Sequence, residues 1–374
     1  MKRFAIFLAL PAFLGLFAAV PAAPTSAGVR EVRAAGQYIV TVRPGGVRRA
    51  ITGVPRQAIT HVYTHVLDGF SARLDASQVE QLRHDPAVVS VAPVVIMHTQ
   101  DTQVGAPWGL DRIDAVSGLD QRYTYRHTGK GVTAYVIDTG IDPSGADFRG
   151  RASVGYDATG GDGRDCNGHG THVAGTIGGS TYGVAKAVAL RAVRVLDCRG
   201  AGTDADVVAG MDWVAQHAQR PAVANMSLGG GKSAAVDAAA KRLTASGVFL
   251  AVAAGNFAGD ACAYSPSGAS GVFAVAASDR TDASAGFTNY GRCVGLYAPG
   301  VQITSDWLAG AVNTVSGTSM ASPHVTGVAA LYEETAGNVP AAKVTAWLTA
   351  HAVRNAVGGV PDGTPNLLLN TGGL

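Results

Sequence analysis

The stretch Gly317-Thr318-Ser319-Met320-Ala321-Ser322-Pro323-His324 places small residues around one serine, and an apolar helical pattern follows it directly. Apolar residues then recur at i, i+3, i+4 and i+7, which predicts a helix with one buried face. We place Pro323 in the first turn of this helix, where its missing N–H costs nothing. Ser319 then lies at a helix N-terminus, where backbone N–H groups favour developing negative charge. A capping serine fits the same pattern, so other residues must decide whether Ser319 is a nucleophile.

The composition indicates a globular chain with a large core. Its 374 residues leave room for one large domain and a small one. Hydrophobic residues make up 47% of the chain and charged residues only 15%. The net charge of +2 is too near neutral to indicate a nucleic acid or an anionic membrane as a partner.

The first residues predict export. Met1-Lys2-Arg3 precede an apolar run over 4–20 and a small-residue segment that ends near Ala27, the pattern of a secretory signal peptide over residues 1–27. A membrane anchor is the alternative, but Pro11 interrupts the run and no later segment is long enough to span a bilayer. We therefore expect an extracellular protein. Its four cysteines indicate two disulfides, and the sequence alone allows three connectivities.

The rest of the chain divides into two patterns. Residues 37–97 predict the order β-α-β-β-α-β, with a hairpin turn at Asp68-Gly69, which is a small α+β ferredoxin-like module. Residues 98–107 are polar and poorly patterned, so we expect an exposed linker. Beyond them, short apolar runs alternate with helical stretches. This pattern predicts an α/β fold, a doubly wound and mainly parallel sheet with helices on both faces.

Three polar residues stand where such a sheet forms its sites. Asp138 directly follows the apolar run 132–137, and Asn256 closes another apolar run, over 248–253. His169 has a glycine on each side. Alone, Asp138 or Asn256 could be a turn former, and His169 with His172 could suggest zinc, although the spacing of a metalloprotease helix is missing. Together with Ser319 they supply the orienting acid, general base, nucleophile and oxyanion donor of acyl transfer.

Five segments resemble the subtilisin-like serine peptidases, specifically the proteinase K and aqualysin branch. They are AYVIDTGID at 134–142, NGHGTHVAGTIGG at 167–179, ANMSLGGG at 224–231, AAGN at 253–256 and SGTSMASPHVTGVAALY at 316–332. Residues 37–97 resemble the inhibitory propeptide of the same family. The resemblance implies a secreted serine endopeptidase of broad specificity, made as a self-cleaving zymogen. Its domains would be a signal peptide over 1–27, a propeptide over 28–102 and a peptidase domain over 103–374.

The resemblance also implies the role of each site residue. Ser319 would attack the scissile carbonyl, His169 would take its proton, and Asp138 would hold the imidazolium. Asn256 and the Ser319 N–H would stabilise the oxyanion. Substrate would bind along two segments and one pocket, formed by Gly200, Ala201, Gly202, Ser227, Leu228, Gly229, Ala254 and Gly255. Because nothing charged stands in the pocket segments, we expect an apolar or aromatic residue there, and Asp204 would favour a basic residue further upstream.

The family pattern further implies disulfides, calcium and partners. It pairs Cys166 with Cys198 and Cys262 with Cys293. Gly295 stands where relatives carry a calcium-binding aspartate, so that site would be weak or absent. Asp111, Asp114 and Asp120 resemble another calcium loop with a spacing one residue shorter, and solvated turn carboxylates explain them equally well. We expect no catalytic cofactor, a monomer, protein and peptide substrates, the propeptide as an intramolecular inhibitor, and no nucleic-acid or membrane partner.

Two other functions fit less well. A secreted esterase of the α/β-hydrolase class requires G-x-S-x-G and the chain order Ser, Asp, His, whereas here the serine stands in Gly317-Thr318-Ser319-Met320-Ala321 and comes last. An inactive, peptide-binding relative would lack one of the three catalytic residues, and none is missing here.

Overall fold

The computed structural model describes residues 33–65, 67–95 and 101–374, which form two compact units. The predicted signal peptide lies outside the described residues. In the described part of the chain, no helix has both the length and the apolar character needed to cross a membrane.

The smaller unit is an antiparallel sheet with two helices. Its elements are β1 (Arg33–Val42), α1 (Val47–Ile51), β2 (Ile59–Tyr63), β3 (Gly69–Arg73), α2 (Ala76–His84) and β4 (Val88–Val95). The strand order is β2-β3-β1-β4. Asp75 and Gln78 form a reciprocal capping box that starts α2, and Val40, Phe70 and Leu82 lie in the core. The predicted ferredoxin-like module is confirmed.

The larger unit contains the alternating strands and helices. Its first half comprises β5 (Asp101–Val104), α3 (Trp108–Asp114), β6 (Arg122–Tyr125), β7 (Thr133–Asp138), β8 (Ala152–Asp157), α4 (His169–Gly178), β9 (Ala189–Arg194), α5 (Asp204–His217) and β10 (Ala222–Met226). Its second half comprises β11 (Gly230–Gly231), α6 (Ala234–Ala245), β12 (Phe249–Ala253), β13 (Tyr264–Ser265), β14 (Phe273–Ser278), β15 (Val294–Pro299), β16 (Ile303–Asp306), β17 (Val312–Val315), α7 (Thr318–Ala336), α8 (Ala341–His351), β18 (Val353–Arg354) and β19 (Leu367–Leu368).

A nine-stranded sheet runs through this unit in the order β18-β19-β15-β14-β12-β10-β7-β9-β8, and only the β18-β19 pair is antiparallel. Helices α4, α7 and α8 pack on one face, while α5 and α6 pack on the other. In β7, Ala134 and Val136 face the first layer, and Tyr135 and Ile137 face the second. A strand covered on both faces is apolar throughout, so the continuous apolar runs predicted this doubly wound sheet correctly.

Helix α7 differs from the sequence prediction in one respect. It begins at Thr318, so Pro323 is its sixth residue and lies inside the helix rather than in the first turn. A proline there leaves the carbonyl of Ser319, four residues earlier, without its helical N–H. The Ser227 hydroxyl donates to that carbonyl at 2.7 Å instead, which explains how the proline is accommodated.

Within the predicted linker, residues 98–100 lie outside the described residues, and Asp101–Val104 form β5, which pairs with β6. The two disulfides join Cys166 to Cys198 and Cys262 to Cys293, the pairing that the resemblance implies.

Candidate active site

Asp138 and His169 meet at the carboxyl edge of the sheet. Asp138 is the last residue of β7 and is fully buried, and His169 is the first residue of α4. His169 Nδ1 lies 2.7 Å from Asp138 Oδ1. The same oxygen accepts the Thr139 N–H, also at 2.7 Å. This geometry fixes the imidazole with Nδ1 towards the acid, so Nε2 is left to act on another group.

The Asp165 carboxylate holds the turn before His169. The sequence prediction gave this residue no role. The carboxylate accepts N–H groups from Asn167, Gly168 and Thr171, and hydroxyl groups from Thr139 and Thr171. Gly168 has φ 106°, and a Cβ there would lie 2.3 Å from the Trp307 ring. The turn therefore requires a glycine at this position. The available signal was an aspartate four residues before a glycine-flanked histidine, and the sequence prediction missed it.

The environment of His169 favours its protonated form. Burial lowers the pKa of the imidazole, but the charge and hydrogen bond of Asp138, with a smaller contribution from Asp165, outweigh burial and raise the pKa above 6.5. A base with a raised pKa is a stronger proton acceptor. The arrangement can thus receive a proton from a neighbouring hydroxyl and stabilise the imidazolium that results.

Ser319 is the second residue of α7 and is half-buried. Its Oγ donates to the backbone carbonyl of Ser227 at 3.1 Å. In the described part of the chain, no hydrogen bond joins this hydroxyl to His169. Such bonds are often long or misaligned in a free enzyme and tighten when substrate binds. The bond partner Ser227 lines the same groove as His169.

Asn256 lies beside the N-terminus of α7. Its Oδ1 accepts both the N–H and the hydroxyl of Thr318, each at 2.9 Å, so its Nδ2 is the end left to donate elsewhere. Nδ2 and the Ser319 N–H are close together, since they lie 3.5 and 3.6 Å from the position that a Cβ on Gly317 would occupy. An oxyanion needs two donors near one point. Thr318, which orients the amide, was another residue that the sequence prediction missed.

Two depressions extend from these residues. A groove of about 470 Å³ is lined by His169, by residues 199–204 and by residues 227–231. A smaller pocket of about 200 Å³ is lined by residues 253–257, Tyr264 and Ser319. All of the predicted substrate-binding residues lie in one or both: Gly200, Ala201, Gly202, Ser227, Leu228, Gly229, Ala254 and Gly255. The smaller pocket has no charged lining residue, and Phe257 stacks on Tyr264 at a centroid distance of 5.1 Å.

Comparisons with known proteins agree with this geometry. The model of the subtilase family matches residues 129–370, and the peptidase inhibitor I9 model matches residues 37–100. The chain belongs to the subtilase family. It is 49% identical over 324 residues to the extracellular serine proteinase of Thermus sp. (strain Rt41A), covering 85% of this chain and 79% of that one. It is 41% identical over 345 residues to proteinase R of Parengyodontium album, covering 89% and 88%.

A solved structure shows the same fold. The crystal structure of a cold adapted subtilisin-like serine proteinase is 50% identical to this subtilase, with a TM-score of 0.70 over 71% of this chain and 98% of the other. The protein is an extracellular serine peptidase with an inhibitory I9 domain at its N-terminal side. The predicted family, enzyme class and extracellular location are confirmed.

The carboxylates of the predicted calcium loop hold backbone groups in this subtilase. Asp111 accepts the N–H groups of Asp120 and Gln121, and Asp114 accepts the Thr124 N–H at 2.6 Å. Burial, opposed by that hydrogen bond and reinforced by Asp111 and Asp120, raises the pKa of Asp114 to about 6. The described residues contain no group of three or more His, Cys, Asp or Glu side chains placed to hold a metal ion. Calcium binding at this loop stays a prediction.

The contacts of His172 are structural. It is fully buried, its Nε2 lies 3.0 Å from the Ile303 carbonyl, and burial lowers its pKa to about 4. These contacts join α4 to β16.

Subtilases need no catalytic cofactor.

Proposed function

We propose that Ser319 is the nucleophile, His169 the general base and Asp138 the residue that orients the base. The observation that carries the proposal is the 2.7 Å contact between His169 Nδ1 and the buried Asp138 carboxylate. Support also comes from Ser319, which lies at a helix N-terminus and donates its hydroxyl to the carbonyl of Ser227, a residue that lines the same groove as His169. Ser319 Oγ attacks the scissile carbonyl carbon as its proton passes to His169 Nε2. The imidazolium then protonates the leaving amine. Water repeats the sequence on the acyl-enzyme and releases the acid.

The oxyanion of each tetrahedral intermediate lies between Asn256 Nδ2 and the Ser319 N–H. Support comes from Thr318, which engages the amide oxygen of Asn256 and so turns the nitrogen outward. The N-terminus of α7 adds a favourable dipole at the same point. Both donors are fixed before reaction, which is what makes such stabilisation effective.

The substrate is an extended peptide that pairs with residues 200–202 and 227–229 as an added strand. The residue before the scissile bond enters the uncharged pocket that Ala254, Gly255 and Tyr264 line, so apolar and aromatic residues are preferred there. Asp204 lines the outer groove and selects a basic residue further upstream.

The zymogen is proposed to cut itself before β5. The boundary between Thr102 and Gln103 that the sequence predicts would divide that strand, which pairs with β6 over four residues. The Gln103 amide also bonds Lys186 and the Thr181 carbonyl within the larger unit. The inhibitor model ends its match at residue 100. A cut on the N-terminal side of Asp101 would leave all these contacts intact in the mature enzyme.

Casein hydrolysis with and without a serine-directed inhibitor tests the activity. We expect inhibition to be complete, and the Ser319→Ala variant to be inactive and to retain its N-terminal unit in a protease-free host. N-terminal sequencing of the wild-type product locates the cut. Processing of the Ser319→Ala variant in that host would exclude self-cleavage, and casein hydrolysis by it would exclude Ser319 as the nucleophile.

The mature enzyme is proposed to be a monomer, and calcium, where bound, to serve stability only. Size-exclusion chromatography with light scattering tests the first point. Thermal unfolding of the inhibited enzyme with calcium or a chelator tests the second. A dimer, or activity that calcium restores to a chelated enzyme whose unfolding temperature is unchanged, would contradict these proposals.

A further inference from the structure

The main chain of Ser319 is held by a side chain from another element. In a regular helix its carbonyl would accept the N–H of residue 323, but that residue is proline. The carbonyl accepts the Ser227 hydroxyl at 2.7 Å instead. Ser227 therefore holds Ser319 at two atoms, because its own carbonyl accepts the Ser319 Oγ at 3.1 Å.

The Ser227 hydroxyl is in turn oriented by Asn225. Asn225 lies on β10 with its side chain fully buried, and its Nδ2 donates to Ser227 Oγ at 2.9 Å. A hydroxyl has one proton to donate, and that of Ser227 goes to the Ser319 carbonyl. The Asn225 atom that contacts the Ser227 hydroxyl must therefore be a donor. This fixes the Asn225 amide with its nitrogen towards Ser227.

The other end of the Asn225 amide agrees with this assignment. Its Oδ1 accepts the hydroxyl of Ser322 at 2.7 Å and that of Thr326 at 2.9 Å. Both residues belong to α7 and are fully buried. The hydrogen bonds thus have one direction, from the hydroxyls of α7 through Asn225 and Ser227 back to the first turn of α7.

We propose that Asn225 is a positioning residue for the nucleophile. This inference rests on the proposed role of Ser319. By forcing the Ser227 hydroxyl to donate to the Ser319 carbonyl, Asn225 fixes the first turn of α7, which carries both the nucleophile and one oxyanion donor. It touches neither substrate nor the reacting atoms. Because Ser227 also lies on the substrate-binding segment, the same contacts keep the nucleophile in register with the bound peptide.

The role predicts a specific kinetic change. In Asn225→Ala, the Ser227 hydroxyl loses the donor that orients it, and the Ser319 carbonyl loses a reliable partner. We expect kcat to fall by about tenfold or more, as for the loss of one buried hydrogen bond of about 1.4 kcal/mol, with KM within about twofold of wild type. Labelling of Ser319 by a small fluorophosphonate, which does not use the peptide groove, should slow in parallel.

A destabilised fold must be separated from a displaced nucleophile. Val344→Ala is the control, since Val344 is fully buried in α8 and its truncation lowers stability without touching this network. Val344→Ala should lower the unfolding temperature about as much as Asn225→Ala does. Its kcat and its labelling rate should nevertheless stay near those of the wild type. Equal rate losses in the two variants would overturn the proposal.

A double-mutant cycle gives the sharper result. Once Ser227→Ala has removed the hydroxyl, Asn225→Ala should lower kcat little further, while its effect on stability remains. Ser227→Thr, which restores a hydroxyl, should recover the rate. Additive losses in kcat, or a fully active Asn225→Ala enzyme, would refute the role. If Asn225→Ala does not fold, the Ser227→Ala and Ser227→Thr pair decides, because equal rates in those two variants would also refute it. The Ser319→Ala variant, expected to be inactive, tests the nucleophile separately.

Discussion

Glu333 is an acid of helix α7 with no exposed surface. Within the described part of the chain, neither of its carboxylate oxygens has a hydrogen-bond partner of good geometry. Burial raises the pKa of this carboxyl from 4.5 to about 8, although the nearby Ala222 N–H and the Arg220 guanidinium lower it somewhat. The protonated form is therefore strongly favoured in the folded protein.

The sign of the effect on stability follows from the two pKa values. Below about pH 4.5 the carboxyl is protonated in both states and stability does not change with pH. As the pH rises towards 8, the unfolded chain ionises while the folded chain keeps its proton, so the free energy of unfolding falls. At about 1.4 kcal/mol per pH unit, the loss amounts to about 5 kcal/mol by pH 8 and then levels off.

Glu333→Gln removes this loss because the amide has nearly the same shape and no charge. The two proteins should have similar stability at pH 5, and the variant should be increasingly more stable up to about pH 8, above which the difference levels off. Denaturant unfolding of enzyme blocked by a serine-directed inhibitor, which prevents self-digestion, measures the difference. Asp306 and Asp114, whose pKa values burial also raises, are present in both proteins and cancel.

Asp212→Asn, which removes an exposed carboxylate from α5, is the matched control and should change the pH dependence little. Parallel stability curves for Glu333→Gln and wild type between pH 5 and 9 would refute the reasoning about the buried acid.

Three further predictions concern the site. Asn256→Ala should lower kcat by roughly 10²–10³-fold with the unfolding temperature unchanged, since it removes an oxyanion donor; turnover near wild type would exclude that role. Because Asp138 raises the pKa of His169, kcat/KM should decrease on the acidic side of a midpoint that lies above pH 6.5. Asp138→Asn should shift this midpoint to lower pH and also slow the enzyme. An unchanged midpoint would contradict the assignment. Gly168→Ala should abolish activity because its Cβ would lie 2.3 Å from Trp307, whereas Gly150→Ala, with φ 74° and no atom within 4 Å of its Cβ, should retain it; equal activities would show that crowding is not the cause.

The sequence was most informative where burial dictates residue type. The strands of the central sheet were predictable because both faces are covered, so runs such as 132–137 and 248–253 are almost entirely apolar. Strand β5 was missed because Asp101–Val104 is short and largely exposed, and it depends on its pairing with β6 rather than on burial. Pro323 was misplaced because a hydrogen bond from Ser227, distant in sequence, replaces the one that proline removes.

For the site, the family segments predicted the residues that we propose to act directly but not those that hold them. Asp138 and His169 were assigned before their contact was known. Asp165, Thr318 and Asn225 were not singled out, because each acts through bonds to backbone or to other side chains that only the folded chain brings together. Residue type alone does not distinguish such positions from ordinary turn formers and polar core residues.

Covalent labelling of the mature enzyme identifies the nucleophile most directly. The enzyme is treated with a fluorophosphonate, residual casein hydrolysis is followed, and the modified residue is located by mass spectrometry of the digested protein. We expect one phosphonyl group per chain, on Ser319, with activity lost in proportion to labelling. Full labelling of Ser319 with activity retained, or loss of activity with the label on another residue, would contradict the assignment.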